Sequence, residues 1–268
     1  DFSDLSILML ATAAVTAAGY LWNDMVDYPL DCINKPDKVI INNKISFHTA
    51  FWIYGILTLS GWGLSLFLAL TEDKTLWFFL YPSAVGGLVW YSQRLKKSPF
   101  WGNLLVSFYC AGVPALVWLA ERESLLALQQ ANPANLSPVN ATLVSYLLFA
   151  FLSTLFREMV KDLEDMEGDS QYGLKTLPLV LGIPATHRLL WLTGMFLLLS
   201  VGAWGYVIRP GLIGILVLCA GIALPMLYNL WQLFGLGSRQ KYHRISTITK
   251  GVMLAGLFLL VWTHYFTA

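Results

Sequence analysis

An asparagine and three aspartates, Asn23, Asp24, Asp27 and Asp31, lie just after the first apolar segment of the chain, in the run NDMVDYPLD. Asn23, Asp27 and Asp31 are spaced at i, i+4 and i+8, so a helix continuing this far would place them on one face, one turn apart. Pro29 predicts that the helix kinks or ends between the second and third of these residues. Burying a carboxylate next to lipid is energetically costly unless it has a partner. Because hard divalent cations prefer oxygen ligands, such a cation is a suitable partner for these side chains.

A second acidic cluster lies in REMVKDLEDMEGD, with Asp162, Asp165 and Asp169 three and four residues apart, again a one-face spacing on a helix. Gly168 predicts that the chain then opens into a loop over GDSQYGLKTLP. Two acidic helix ends could hold a pair of Mg²⁺ ions between them. Mg²⁺ usually takes only one or two carboxylates and completes its coordination shell with water or phosphate oxygens. We therefore expect a phosphorylated substrate to supply the remaining ligands.

Basic residues occur near both clusters: Arg94, Lys96 and Lys97 in YSQRLKKSPFWGN, and Lys161 next to Asp162. Arginine and lysine can hold a diphosphate through charge-assisted hydrogen bonds. The alternative is that these residues only anchor helix ends at a membrane surface.

The composition is typical of a polytopic membrane protein. The chain has 268 residues, of which 57% are hydrophobic and 12% charged, against about 25% charged in soluble domains. Its net charge is +1 and no basic stripe occurs, so a nucleic-acid partner is not expected. A spanning helix needs about 20 apolar residues. We predict an all-α bundle with eight spans, at roughly 4–22, 46–70, 75–91, 99–120, 139–159, 186–207, 211–233 and 247–267.

The distribution of lysine and arginine orients these spans. With the 23–45 loop on the cytoplasmic side, the cytoplasmic loops and helix ends collect Lys35, Lys38, Lys44, Arg94, Lys96, Lys97, Arg157, Lys161, Lys175, Arg188, Arg239, Lys241, Arg244 and Lys250. The opposite side collects Lys74, Arg122 and Arg209. This asymmetry follows the positive-inside rule and predicts that both acidic clusters face the cytoplasm.

These motifs resemble those of a known family. NDMVDYPLDCINKPDK resembles the NxxxDxxxD signature of the UbiA superfamily of intramembrane prenyltransferases, and KDLEDMEGDSQYGLKTLPLVLG resembles its second aspartate motif. YSQRLKKSPFWGN is similar to the cytoplasmic segment between the two. Within the superfamily, FREMVKDLEDMEGD looks most like the digeranylgeranylglyceryl phosphate synthase branch.

The resemblance implies a single transmembrane domain over 1–268, with nine helices around a central cavity that opens to the lipid. The first motif begins at residue 23, so only one predicted span precedes it and the count is eight. We therefore expect that the helix which comes first in the family is either trimmed from this sequence or missing. The implied reaction is Mg²⁺-dependent transfer of an isoprenyl group, from an isoprenyl diphosphate to a lipophilic acceptor in the membrane.

The resemblance also assigns roles to individual residues. Asn23, Asp27 and Asp31 would hold one Mg²⁺. Asp165 and Asp169, with Asp162 assisting, would hold the other. The catalytic aspartates would be Asp27, Asp31, Asp165 and Asp169. The residues facing the diphosphate would be Arg94, Lys96 and Lys161.

Two other functions fit parts of this pattern. A terpene cyclase on the same scaffold would also ionise an isoprenyl diphosphate but would use no acceptor, and the motifs alone do not separate the two. A transporter or channel with acidic gates is less consistent with acids clustered at one membrane face, because transporter sites lie near the midplane. The acceptor stays open between an aromatic ring, a quinone precursor, a glyceryl phosphate lipid and a porphyrin alcohol.

Overall fold

The structure, a computed structural model, describes residues 2–34, 36–71, 75–131, 133–235 and 237–266. Within these ranges the chain is helical, and the only β-type pairing is an isolated bridge between Ile41 and Ile45. The α-helices are α1 (Phe2–Asn34), α2 (Phe47–Thr71), α3 (Thr75–Gln93), α4 (Trp101–Ala120), α5 (Arg122–Ala131), α6 (Pro133–Glu164), α7 (Met166–Gln171), α8 (Leu177–Leu181), α9 (Ile183–Ile208), α10 (Gly211–Leu218), α11 (Leu224–Gln232) and α12 (Arg239–Phe266). A π-helix, Cys219–Ala223, joins α10 to α11.

Seven helical segments of the described chain are long and apolar enough to cross a membrane, one fewer than the eight predicted, and the all-α transmembrane class is confirmed. They are Ser3–Asn34, Phe47–Thr71, Trp101–Ala120, Val139–Glu164, Ile183–Ile208, Gly211–Gln232 and Arg239–Trp262. The predicted span at 75–91 forms α3, a helix of 19 residues, but does not meet this criterion. Its tryptophans, tyrosines and serines, together with Pro82, dilute the apolar residues.

The first helix is longer than the sequence predicts. It was expected to span 4–22 and to be broken by Pro29, but α1 continues through Pro29 to Asn34. A proline inside a helix removes one backbone donor, and neighbouring groups can compensate for the loss in membrane proteins. The consequence is that Asn23, Asp27 and Asp31 lie on one continuous helix, as their spacing requires.

The chain divides into two compact units. The first contains the residues up to Gly102 together with Glu167–Lys175. Within it, α1, α2 and α3 pack pairwise. Glycines permit this approach: a Cβ at Gly61 of α2 would lie 2.6 Å from the Val15 side chain of α1. Small residues at helix contacts are typical of membrane bundles, because they let the backbones come close.

The second unit contains Asn103–Met166 and the chain from Thr176 onward. Here α6 packs against both α9 and α12, and fully buried residues such as Phe156, Leu197 and Val252 form its core. A buried polar contact joins two of its helices: the Asn229 amide nitrogen donates a hydrogen bond of 3.1 Å to the Thr249 hydroxyl. Helix α6, which carries the start of the second acidic motif, therefore packs against two other long helices of this unit.

Candidate active site

The first acidic motif forms a small polar network near the C-terminal end of α1. The Asn23 side-chain amide donates a hydrogen bond of 2.6 Å to Oδ2 of Asp27. The Ser92 hydroxyl, from the last turn of α3, donates a hydrogen bond of 3.4 Å to the side-chain oxygen Oδ1 of Asn23. Asp27 is buried and Asn23 and Asp31 are partly buried. Two of the predicted metal ligands, Asn23 and Asp27, are thus in direct contact through their side chains.

A cation from another part of the chain completes this network. The Lys96 ammonium forms an ion pair with Oδ2 of Asp27, the same oxygen that accepts the Asn23 hydrogen bond. Lys96 lies on a 3₁₀-helix, Leu95–Lys97, between α3 and α4. Arg94 caps the start of this 3₁₀-helix and is exposed, as is Lys97. Lys96, which was predicted to bind the diphosphate, therefore contacts Asp27, which was predicted to bind a metal ion.

The second motif does not form the single helical face that its spacing predicts. Helix α6 ends at Glu164, the chain bends at Asp165, and the separate helix α7 begins at Met166. The loop predicted from Gly168 onward is wrong for its first part, because Gly168 and Asp169 both lie within α7. The physical reason is the break at Asp165, which lets the residues after it follow a new helix axis and pack in the first unit.

Asp162 and Asp165 stay with α6 in the second unit. The Asn103 side-chain amide, from the first turn of α4, donates a hydrogen bond of 2.8 Å to Oδ2 of Asp162. The Asp165 backbone amide donates to the Lys161 carbonyl at 2.8 Å, which completes the last turn of α6. Both carboxyl groups are therefore attached to a well-defined helix end.

Lys161, predicted to face the diphosphate, has a carboxylate partner on its own helix. Its ammonium lies 3.4 Å from Oε2 of Glu158, and the Arg157 guanidinium lies 2.8 Å from the other oxygen of that carboxylate. Glu158 is buried. The C-terminal end of α6 therefore carries positively and negatively charged side chains next to each other.

Asp169 belongs to the first unit, where α7 packs on the end of α1. A Cβ at Gly168 would collide with the Asn34 side chain, so the α7 backbone lies directly against Asn34. The Tyr172 hydroxyl donates a hydrogen bond of 3.0 Å to the Pro29 carbonyl. Asp169 is only 4% exposed. These contacts hold Asp169 in the same unit as Asn23, Asp27 and Asp31.

The donor set of the first motif suits Mg²⁺. Within the described part of the chain, no three His, Cys, Asp or Glu side chains approach closely enough to form a complete site by themselves. This is compatible with Mg²⁺, which commonly takes one or two carboxylates and fills its remaining positions with water and substrate phosphate. The ammonium of Lys96 shows that the Asp27 carboxylate accommodates a positive charge at this position. The metal-binding roles of the six predicted ligands stay predictions.

Comparison with known proteins decides the family. The profile of the UbiA prenyltransferase family matches residues 1–248. The chain belongs to the UbiA prenyltransferase family. The resemblance of its two aspartate motifs is thereby confirmed, and so is the prediction that it is a prenyltransferase embedded in the membrane.

Relatives of this UbiA prenyltransferase share one name. The digeranylgeranylglyceryl phosphate synthase of Thermococcus kodakarensis is 30% identical over 247 residues, which cover 91% of this chain and 80% of that protein. The enzyme of the same name from Thermococcus gammatolerans is 28% identical, with 98% and 86% covered. The one from Saccharolobus solfataricus is 33% identical, but only 70% of this chain and 61% of that protein are covered.

Solved structures show the same fold at lower identity. A structure described as concerning digeranylgeranylglyceryl phosphate synthase in membranes matches with a TM-score of 0.65 and 22% identity, covering 97% of this chain and 85% of that one. The apo structure of a UbiA homologue from Aeropyrum pernix K1 matches with a TM-score of 0.66 and 14% identity, covering 96% and 90%. Both support the helical architecture.

The structure of this UbiA prenyltransferase also reveals contacts that sequence reasoning missed. His243, to which the sequence assigned no role, contacts Glu164 with 2.9 Å between Nδ1 and Oε1. Asn103 was not singled out either, although an amide side chain in the apolar segment WGNLLVSFYC is a signal that could have been used. Polar residues in membrane helices usually face protein partners. For His243 no such signal exists, because it lies in the polar first part of α12 and not in an apolar segment.

Proposed function

We propose that this prenyltransferase uses Mg²⁺ and an isoprenyl diphosphate donor, and that its acceptor is a lipid of the glyceryl phosphate class. The observation that carries the proposal is the network of Asn23, Asp27 and Lys96, in which a buried carboxylate at the end of a membrane helix accepts both an amide hydrogen bond and an ion pair. The acceptor class is inferred from the relatives named digeranylgeranylglyceryl phosphate synthase.

The residues of the site can carry out three tasks in this reaction. The aspartates of each motif would hold a Mg²⁺ ion, which when bound would supply positive charge for the departing diphosphate. Lys96, Arg94 and Lys161 can donate charge-assisted hydrogen bonds to the diphosphate oxygens. Asn23 and Asn103 orient carboxylates through hydrogen bonds of 2.6 and 2.8 Å.

The chemistry is a substitution at the allylic carbon of the donor. The carbon–oxygen bond to the diphosphate breaks, the diphosphate leaves with the electron pair, and a hydroxyl oxygen of the acceptor forms the new bond to carbon. The acceptor hydroxyl then loses its proton to a carboxylate, to water or to the diphosphate. Negative charge grows on the leaving group, so preorganised positive groups at that position have their largest effect in the transition state.

The test is turnover of aspartate variants in lipid or detergent with Mg²⁺. Asp27→Ala and Asp165→Ala should each lower the rate by about 10²- to 10³-fold, as expected for removal of one group from a preorganised electrostatic site. Matched controls are Asp37→Ala and Glu167→Ala, which remove exposed carboxylates close to the two motifs and should leave the rate near that of the wild type. Near-wild-type rates in both motif variants would defeat the proposal.

The acceptor and the reaction class can be tested together. The protein should transfer the prenyl group to a glyceryl phosphate lipid, and not to an aromatic or quinone precursor supplied at the same concentration. Incubation with the donor alone should release no hydrocarbon or terpene alcohol. Release of such a product without acceptor would instead support the terpene cyclase, which the relatives do not favour.

We further propose that the first acidic motif faces the cytoplasm, as the lysine and arginine distribution predicts. In a variant without native cysteines, Lys38→Cys places a thiol on the exposed 3₁₀-helix Pro36–Lys38, and Ser124→Cys places one on exposed α5. A membrane-impermeant maleimide should label Lys38→Cys only in inverted vesicles and Ser124→Cys only in right-side-out vesicles. The reverse pattern would show the opposite orientation.

A further inference from the structure

The Asp27 carboxylate has a cationic partner supplied by the protein itself. Lys96 forms an ion pair with Oδ2 of Asp27, and the Asn23 amide donates to the same oxygen. The Asp27 side chain is 8% exposed and that of Lys96 is 27% exposed. Because a buried carboxylate without a partner is costly, this ion pair stabilises the acidic end of α1.

The backbone that carries Lys96 is fixed, while its side chain can move. The Lys97 amide donates to the Arg94 carbonyl at 3.2 Å and the Ser98 amide to the Leu95 carbonyl at 2.9 Å. A Cβ on Gly102 would lie 3.0 Å from that same carbonyl oxygen, so the start of α4 lies close against the 3₁₀-helix. The lysine stem has four rotatable carbons and ends in a compact charge. The ammonium can therefore change partners without movement of the chain.

We propose that Lys96 is a built-in substitute for the metal, which neutralises Asp27 in the empty enzyme and transfers to the diphosphate when metal and diphosphate bind together. This inference rests on the proposed function, because it assumes a diphosphate at the first motif. A metal ion arriving alone must displace the ammonium from its carboxylate partner Asp27. A metal ion arriving with the diphosphate gives the ammonium a new anionic partner.

This exchange makes the two ligands cooperative. Lys96 weakens the binding of metal alone and strengthens the binding of diphosphate, so each ligand raises the affinity for the other, as linkage requires. The enzyme would thereby avoid filling the site with a metal ion when no donor is present. If the ion pair had only a structural role, its loss would instead weaken the binding of both the metal and the diphosphate.

The test is calorimetric titration of the purified protein with Mn²⁺ alone, and with inorganic pyrophosphate in the presence of Mn²⁺. In Lys96→Met, Mn²⁺ alone should bind on the order of tenfold more tightly, and pyrophosphate on the order of tenfold more weakly, than in the wild type. Lys97→Met, which removes the neighbouring exposed lysine, should change neither affinity. Tighter binding of Mn²⁺ together with weaker binding of pyrophosphate in Lys96→Met would support the role of Lys96 as a substitute for the metal.

Other outcomes separate this inference from the proposed function. If both affinities fall together in Lys96→Met, or if Mn²⁺ binding is unchanged, Lys96 is not a substitute for the metal. If wild-type protein binds no pyrophosphate with Mn²⁺, the proposed function itself fails. Should Lys96→Met not fold, Lys96→Gln keeps a hydrogen-bond donor without the charge and should also bind Mn²⁺ more tightly. Lys96→Arg keeps the charge and should bind Mn²⁺ as weakly as the wild type, and tighter binding there would overturn the inference.

Discussion

The hydroxyl of Tyr172 donates a hydrogen bond to the backbone carbonyl of Pro29, across 143 residues of sequence and a distance of 3.0 Å. Pro29 lies between Asp27 and Asp31 on α1, and Tyr172 follows Asp169 just after α7. This single bond therefore connects the segment of the first acidic motif to the segment of Asp169. The close packing of Gly168 against Asn34 provides a second connection between the same segments.

Removing the Tyr172 hydroxyl should weaken this connection. We expect Tyr172→Phe to reduce stability by about 0.5–1 kcal/mol, near the lower end for a hydrogen bond because the side chain is exposed, and to lower prenyl transfer several-fold. Tyr206→Phe removes the hydroxyl of another exposed tyrosine and is the control. Thermal unfolding and turnover in the same detergent measure both effects. Equal turnover in the two variants would show that the bond does not position the site.

Adding a methyl group at Gly168 should displace α7 from α1. The new Cβ would overlap the Asn34 side chain, so Gly168→Ala should lower turnover by at least tenfold and destabilise the protein by about 1–3 kcal/mol, as overpacking does. Gly55→Ala is the matched control, because nothing lies within 4 Å of a Cβ at that position in α2. Alanine is the better helix former, so the control should be neutral or slightly stabilising. Wild-type turnover in Gly168→Ala would show that Asn34 can move away without consequence.

The pair formed by His243 and Glu164 should help to fix the end of α6. Glu164 immediately precedes Asp165, and its Oε1 lies 2.9 Å from His243 Nδ1 of α12. A double-mutant cycle with His243→Ala and Glu164→Gln should give a coupling free energy of about 0.5–1 kcal/mol, as for other partly exposed pairs. His48→Ala, which removes an exposed histidine from α2, is the control for loss of an imidazole. Additive effects on both unfolding and turnover would exclude a positioning role.

The hydrogen bond from Asn103 should orient the Asp162 carboxylate. Asn103→Leu removes this donor, which lies 2.8 Å from Oδ2, and keeps a side chain of similar size. Turnover should fall about five- to tenfold, since a hydrogen bond to a charged group contributes about 1.5–3 kcal/mol and part of that loss can be recovered by water. Asn103→Gln, a longer amide, should retain more activity than Asn103→Leu. If leucine and glutamine are equally active, the amide has no part in placing Asp162.

Regular features of the helices were predictable because they depend on neighbouring residues. The spacing of Asn23, Asp27 and Asp31 predicts one helical face, and α1 carries all three on a continuous helix. Local patterns were less successful where tertiary contacts compete with them. Pro29 was expected to kink or end α1, and Gly168 to begin a loop, but α1 continues to Asn34 and Gly168 lies within α7.

The structure gives seven candidate spans where the sequence predicts eight. The predicted segment 75–91 is helical in α3, but its mixture of aromatic, polar and small residues leaves it outside the seven segments selected by length and hydropathy.

By itself, the sequence determined that this protein is a membrane-embedded helical bundle with two aspartate motifs, because apolar length and residue spacing are local properties of the chain. That it is a prenyltransferase followed from the resemblance of those motifs to the UbiA superfamily. Only the tertiary structure decided which side chains meet: Lys96 with Asp27, Asn103 with Asp162, and His243 with Glu164. The physical reason is that lipid is as apolar as the helix surfaces themselves, so hydropathy does not specify which helix faces which. Those pairings depend on packing and on hydrogen bonds between residues that are 59 to 79 positions apart.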